Sequence, residues 1–176
     1  MVSALWILVF FGGVPGSQAQ DPVAVIKQTS LDLSPEKPLG KVLATYRWFA
    51  LGRWSQEPKE DERVLVTFRG EWPDPPATKD FRENHRYSLK ISMLAMQLDK
   101  YYHLSKDKDR LAFLIDFLVS PDGSFQVVGG RLGIRTKSDQ TWRYETFTDK
   151  ALVRVIEALY VDENPYLALC KGLPFH

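Results

Sequence analysis

The first twenty residues, MVSALWILVFFGGVPGSQAQ, contain no Asp, Glu, Lys or Arg. Within them Ala4 to Phe11 is an unbroken apolar run, followed by Gly12, Gly13 and Pro15 and then by the small residues of Ser17-Gln18-Ala19. A short apolar core with a small-residue exit is the pattern of a secretory signal peptide, and it is too short for a membrane span of roughly 20 apolar residues. Residues 1–19 are therefore expected to be a leader, and 20–176 a single domain. Cysteine is nearly absent: Cys170 stands alone, so no internal disulfide can form. The fold must rest on its apolar core, in which Cys170 is read as a small buried residue. For an exported chain, the lack of disulfides points to a bacterial periplasm or cell surface.

An excess of charge of one sign is also missing. Lys and Arg number 23 and Asp and Glu 22, for a net charge of +1. Proteins that grip a phosphate backbone usually carry a basic excess, so nucleic-acid binding and attachment to a membrane surface are disfavoured. The three histidines, His85, His103 and His176, lie far apart, and no H-x-x-x-H or C-x-x-C spacing occurs. No zinc signature is present, no cofactor is called for, and there is no G-x-S-x-G nucleophile motif. The glycine-rich stretch VVGGRLG, Val127 to Gly133, lacks the P-loop pattern and reads as a bulged strand connection.

What is present is apolar periodicity. Val23 to Ile26 starts a strand or helix. Ser34-Pro35-Glu36 resembles a helix N-terminus, with Leu39, Val42, Leu43, Tyr46 and Ala50 on one face and Gly52 as the stop. Trp54 to Phe68 reads as a hairpin around the charged turn QEPKEDER, with Val64, Val66 and Phe68 on its buried side. Trp72-Pro73-Asp74-Pro75-Pro76 interrupts regular structure, and a helix is expected from about Ser88 to Tyr102. Ser105 to Arg110 is a charged loop. Leu111 to Val119 then pairs through Ser120-Pro121-Asp122-Gly123 with a strand from Ser124 to Val128, and Gly129-Gly130 permits a bulge. A further hairpin over Arg131–Thr136 and Thr141–Phe147 precedes a Thr148-capped helix, Asp149 to Leu159, with Ala151, Leu152, Val155, Ile156 and Leu159 in one stripe. The tail after Tyr160 is irregular, docked by Tyr166, Leu167, Leu169 and Phe175. This order predicts an α+β fold: an antiparallel sheet with two to three helices packed on one face.

The stretch YRWFALGRW, Tyr46 to Trp54, concentrates aromatic and basic residues. Tyr46 and Phe49 fall on the apolar face, whereas Trp48 points away from it beside Lys41 and Thr45. Trp48, with Arg47 and Arg53, is the candidate partner-binding anchor, since Trp and Arg dominate interface energetics. Asp116 interrupts an apolar strand and needs solvent or an arginine partner.

The block from Val25 to Trp72 resembles one found in small exported bacterial proteins and lipoproteins. The match rests on Leu39-Gly40-Lys41-Val42-Leu43, Tyr46, Phe49, Trp54, Arg63, Val66, Phe68 and Gly70, and on the later segments LAFLIDFLVSPDGSFQV and ALVRVIEALYVDENP. The resemblance implies export and brings no catalytic residue. A second, weaker likeness, Tyr87 to Val128 followed by the helix at Asp149, is to the C-terminal domains of TonB-type energy transducers. The expectation is a non-enzymatic binding or accessory module of the envelope, acting on another envelope protein. The alternatives are a small exported hydrolase using Asp116 and His103, and a TonB-like interaction domain.

Overall fold

The computed structural model describes residues 21–31, 34–72, 108–136, 138, 140–165, 168 and 169. The segment expected to be a leader, the proline-rich stretch beyond Trp72, the helix expected over 88–102, all three histidines and Cys170 lie outside the described residues. So do Tyr166, Leu167 and Phe175.

Strands β1 (Leu51–Pro58), β2 (Val64–Trp72), β3 (Lys108–Val119), β4 (Phe125–Thr136) and β5 (Trp142–Thr146) form one antiparallel sheet in chain order. Among the described residues three helices accompany it: α1 (Pro22–Gln28), α2 (Leu39–Thr45) and α3 (Asp149–Tyr160). The fold is α+β, as the pattern of elements predicts.

Alternation sets the two faces. Trp54, Val66, Phe68, Phe113, Ile115, Phe117, Leu132 and Ile134 share the side that meets the helices. Phe68, Phe113, Ile115 and Phe117 are almost fully buried there, and each such side chain contributes about 1.5–3 kcal/mol relative to exposure. The β1–β2 hairpin pairs Trp54 with Phe68, whose rings lie 4.9 Å apart. Its turn closes through the amide of Lys59 donating to the Arg63 carbonyl at 2.8 Å. Pro58, which has no amide hydrogen, sits at the end of an edge strand, where none is required.

The β3–β4 turn follows its sequence closely. Gly123 takes φ +82°, and Asp122 Oδ1 accepts from both the amide and the hydroxyl of Ser124, which hold its carboxyl below the usual range. Downstream, Asp116 pairs with Gly129 while Phe117 pairs with Val127, so Val128 is an extra residue, a bulge beside the glycine pair. β4 nevertheless runs unbroken from Phe125 to Thr136, and β3 begins at Lys108, inside the segment expected to be loop.

Helix α3 opens on Thr148, whose side chain accepts from the Ala151 amide, and its stripe of Ala151, Leu152, Val155, Ile156 and Leu159 is buried. It closes with Asp162 at φ 53° and the Glu163 amide donating to the Ala158 carbonyl, a Schellman arrangement with aspartate where glycine is commoner. Helix α1 starts at Asp21, whose carboxylate caps the Val23 amide, with Pro22 in the first turn.

Helix α2 corrects the expectation of a longer helix running from Ser34 to Gly52. It spans seven residues and starts after Pro38, which disfavours helical geometry at Lys37. It ends at Tyr46, whose ψ of 109° turns the chain outward, and Gly52 lies inside β1. The apolar face is buried as far as Tyr46, whereas Ala50 is exposed.

Candidate binding surface

The aromatic stretch resolves into two structures. In the first, Tyr46, Arg47 and Trp48 all engage the end of α3. The Tyr46 hydroxyl donates to the Glu163 carbonyl, Trp48 Nε1 donates to the Asp162 carbonyl at 3.3 Å, and Arg47 Nε pairs with the Asp162 carboxylate at 3.0 Å. The Arg47 guanidinium lies 5.0 Å from the Trp48 ring centroid. Trp48 is half-buried and packs against the core. This turn is thus a clasp between the α2–β1 connection and the far end of the chain. In the second, Phe49 enters the core, edge-on to Tyr46 at 4.8 Å and tilted against Phe68 at 5.7 Å.

Burial, with help from the Asp162 and Glu163 carboxylates, pushes the Tyr46 phenol far above its usual range. A raised value in the fold favours the protonated form. Its contribution is therefore complete below the unfolded value of about 10 and fades as pH rises past it. Urea unfolding between neutral pH and pH 11 should show stability falling above about pH 10. In Tyr46→Phe that fall should be shallower, at the expense of about 1 kcal/mol at neutral pH for the lost hydrogen bond. Burial also raises Tyr160, so part of the alkaline loss should persist in the variant.

The three candidate anchor residues do not form one patch. Arg47 and Trp48 sit on the α3 clasp, whereas Arg53 lies on exposed β1, paired with Arg69 on the sheet face opposite the helices. No described helix packs on that open face. It is built in rows across the strands: Arg53, Arg69, Leu114, Arg131 and Thr146; then Leu51, Glu71, Ala112, Gly133 and Tyr144; then Arg110, Arg135 and Trp142.

Gly133 and Ala112 have little or no side chain, and the aromatic rings of β5 occupy the space this leaves. A Cβ on Gly133 would stand 3.1 Å from Tyr144 and 3.2 Å from Trp142, and Ala112 is fully buried. The two rings lie nearly parallel at 6.5 Å. Three arginines from two strands, β2 and β4, converge on them. The Arg69 guanidinium lies 4.0 Å from the Trp142 centroid, Arg135 5.8 Å from the same ring, and Arg131 5.8 Å from Tyr144. Arg69 also donates to the Tyr144 hydroxyl at 2.9 Å and to Glu71 at 2.7 Å. This cation–aromatic layer ties edge strand β5 to β2 across the sheet and leaves Tyr144 41 % exposed.

Asp116 has the arginine partner that its burial requires. Its Oδ1 accepts from Thr67 Oγ1 at 2.7 Å and from Arg131 Nη2 at 2.9 Å. His103, the other member of the hydrolase alternative, is outside the described residues. Among the described residues no group of three His, Cys, Asp or Glu side chains is placed to hold a metal, and no helix is long and apolar enough to cross a membrane.

Sequence reasoning passed over Arg69, Arg110, Arg131, Arg135, Trp142 and Tyr144. A signal existed in Arg131-x-Gly133-x-Arg135 and Trp142-x-Tyr144, whose period of two puts them on one side of their strands. What assembles them is the register of four strands, which no single segment encodes.

The fold and site together define an antiparallel α+β protein with helices on one sheet face and an arginine–aromatic layer on the other. No family model, curated protein or solved structure matches the chain.

Proposed function

We propose that this is an exported, non-enzymatic binding module of the bacterial cell envelope that holds an anionic partner on the open face of its sheet. The observation that carries this is the charge of that face around Trp142 and Tyr144. Among the described residues Arg53, Arg69, Arg110, Arg131 and Arg135 stand on that face against Glu57, Glu71 and Asp116, on a chain whose total charge is close to balance. Trp, Tyr and Arg are also the side chains that supply most binding energy at protein interfaces. The leader-like residues 1–19 support placement in the envelope.

The test is titration with an anionic probe, poly-glutamate, followed by fluorescence. Binding should weaken steeply with added salt, because exposed charges are screened. Arg135→Glu should weaken it at least about tenfold, the size expected for a hot-spot residue, while the clasp variant Arg47→Ala should leave it unchanged. Equal affinity of wild type and Arg135→Glu would refute the placement.

A further inference from the structure

Strand β1 stands at one edge of the sheet, and its outer side pairs with no strand among the described residues. The Lys59 amide donates to the Arg63 carbonyl, which extends the β1–β2 register by one pair, so odd-numbered residues of β1 aim their backbone groups at β2. Gly52, Trp54 and Gln56 therefore aim theirs away from the sheet. Proteins commonly guard such an edge with lysine, a bulge or an interior proline. β1 carries no lysine, its register is unbroken, and its one proline, Pro58, stands last. We propose that this edge takes β1 of a second copy of the chain, paired antiparallel about a two-fold axis at Ser55.

Charge selects both the partner and the register. Side chains of odd-numbered residues stand on the open face, where β1 carries Arg53 and Glu57 and no other charge. Turning a second copy about Ser55 sets Arg53 of each copy opposite Glu57 of the other, in the closer, non-hydrogen-bonded kind of pair. Trp54 then faces Gln56, and their backbone groups bond across the join. Pro58, which has no amide hydrogen, accepts from Gly52 at each end. An axis at Arg53 or Glu57 would set like charges face to face. An axis at Trp54 would set Arg53 against Ser55, and one at Gln56 would set it against Lys59. Both charged groups are accessible. Arg53 has no hydrogen bond or ion pair among the described residues. The Glu57 side chain is 66% exposed and accepts from Lys59 through Oε1 alone, which leaves Oε2 for a guanidinium. The contact is isologous and closes at two copies. It joins two sheets into one, with the helices on one side and both open faces on the other, whatever those faces bind. One strand from each copy is a small interface, so the dimer should form weakly, between about 1 µM and 1 mM.

Sedimentation equilibrium of the full chain over that range tests this. The protein should pass from monomer to dimer and no further. Arg53→Glu and Glu57→Arg each turn two attractions into two repulsions, and each should weaken association at least about tenfold. Mixed in equal amounts, the two variants should form a heterodimer about as stable as the original, because each offers the charge that the other lacks. The chain carrying both substitutions should dimerise with itself for the same reason. Recovery on mixing separates loss of the contact from loss of the fold, and thermal melts establish that each variant is folded. A protein that stays monomeric throughout, a dimer indifferent to both reversals, or assembly beyond the dimer would overturn the proposal. So would folded variants that remain monomeric when mixed.

Discussion

Phe113→Ala is expected to lower the unfolding free energy by about 3–5 kcal/mol, the range for truncating a fully buried phenylalanine. Phe113 lies in the middle strand of the sheet and is fully buried. Its ring stands 5.6 Å from Phe147, which leads into α3, and 6.4 Å from Phe49, which follows the clasp. Across the strands it pairs with Gly70 and Leu132. The aromatic neighbours are held from several directions and cannot collapse into the space, so the cavity term adds to the lost transfer energy. A loss of this size is a large part of the 5–15 kcal/mol typical of a whole domain. Urea denaturation should show a large drop in midpoint, and a loss below about 1.5 kcal/mol would mean that the core is not organised around this ring.

The second large effect is expected at Gly70. A Cβ there would lie 2.5–2.6 Å from three atoms of the Phe49 ring, closer than real contacts allow. Gly70→Ala must displace that ring or bend β2, and overpacking of this kind costs about 1–3 kcal/mol. Phe49 cannot withdraw easily, because Tyr46, Phe68 and Phe113 surround it. The cause is separable by a double-mutant cycle: in a Phe49→Ala background the same glycine substitution should cost little, giving a coupling energy of about 1 kcal/mol or more. Additive costs would place the strain in the β2 backbone instead.

Much of the architecture was legible because it rests on local pattern. Trp54 to Phe68 reads as a hairpin from its alternation and charged turn. Ser120 to Gly123 specifies its own turn, and Thr148 marks the start of α3. Each of these is decided within a single short segment of the chain. Apolar spacing overstates the length of α2 because it continues through Tyr46 and Ala50, whereas Pro38 and the reach of Tyr46 to Glu163 set the actual limits. That second limit depends on a residue more than a hundred positions away, and helical periodicity carries no trace of it.

The candidate surface was less legible for the same reason. Trp48 points outward on a helical wheel, yet the chain leaves the helix before reaching it, and Asp162 receives both Trp48 and its neighbour Arg47. Arg53 does lie on the open face, but its companions come from β2, β3, β4 and β5. Arg69 and Trp142 stand 73 positions apart in the chain and meet at 4.0 Å only because the small residues Gly133 and Ala112 let one side chain cross above the strands between them.

The surplus residue at Val128 has a consequence for how this chain can vary in length. Before it, odd-numbered residues of β4 face the helices; after it, even-numbered ones do. A relative shortened by one residue at this point would still direct Phe125, Val127, Leu132 and Ile134 inward and Arg131 and Arg135 outward, because the strand would simply become regular. A gain or loss of one residue between Gly130 and Arg135 would turn arginine toward the helices. Natural insertions and deletions in β4 should therefore gather at the bulge and avoid the stretch that follows it.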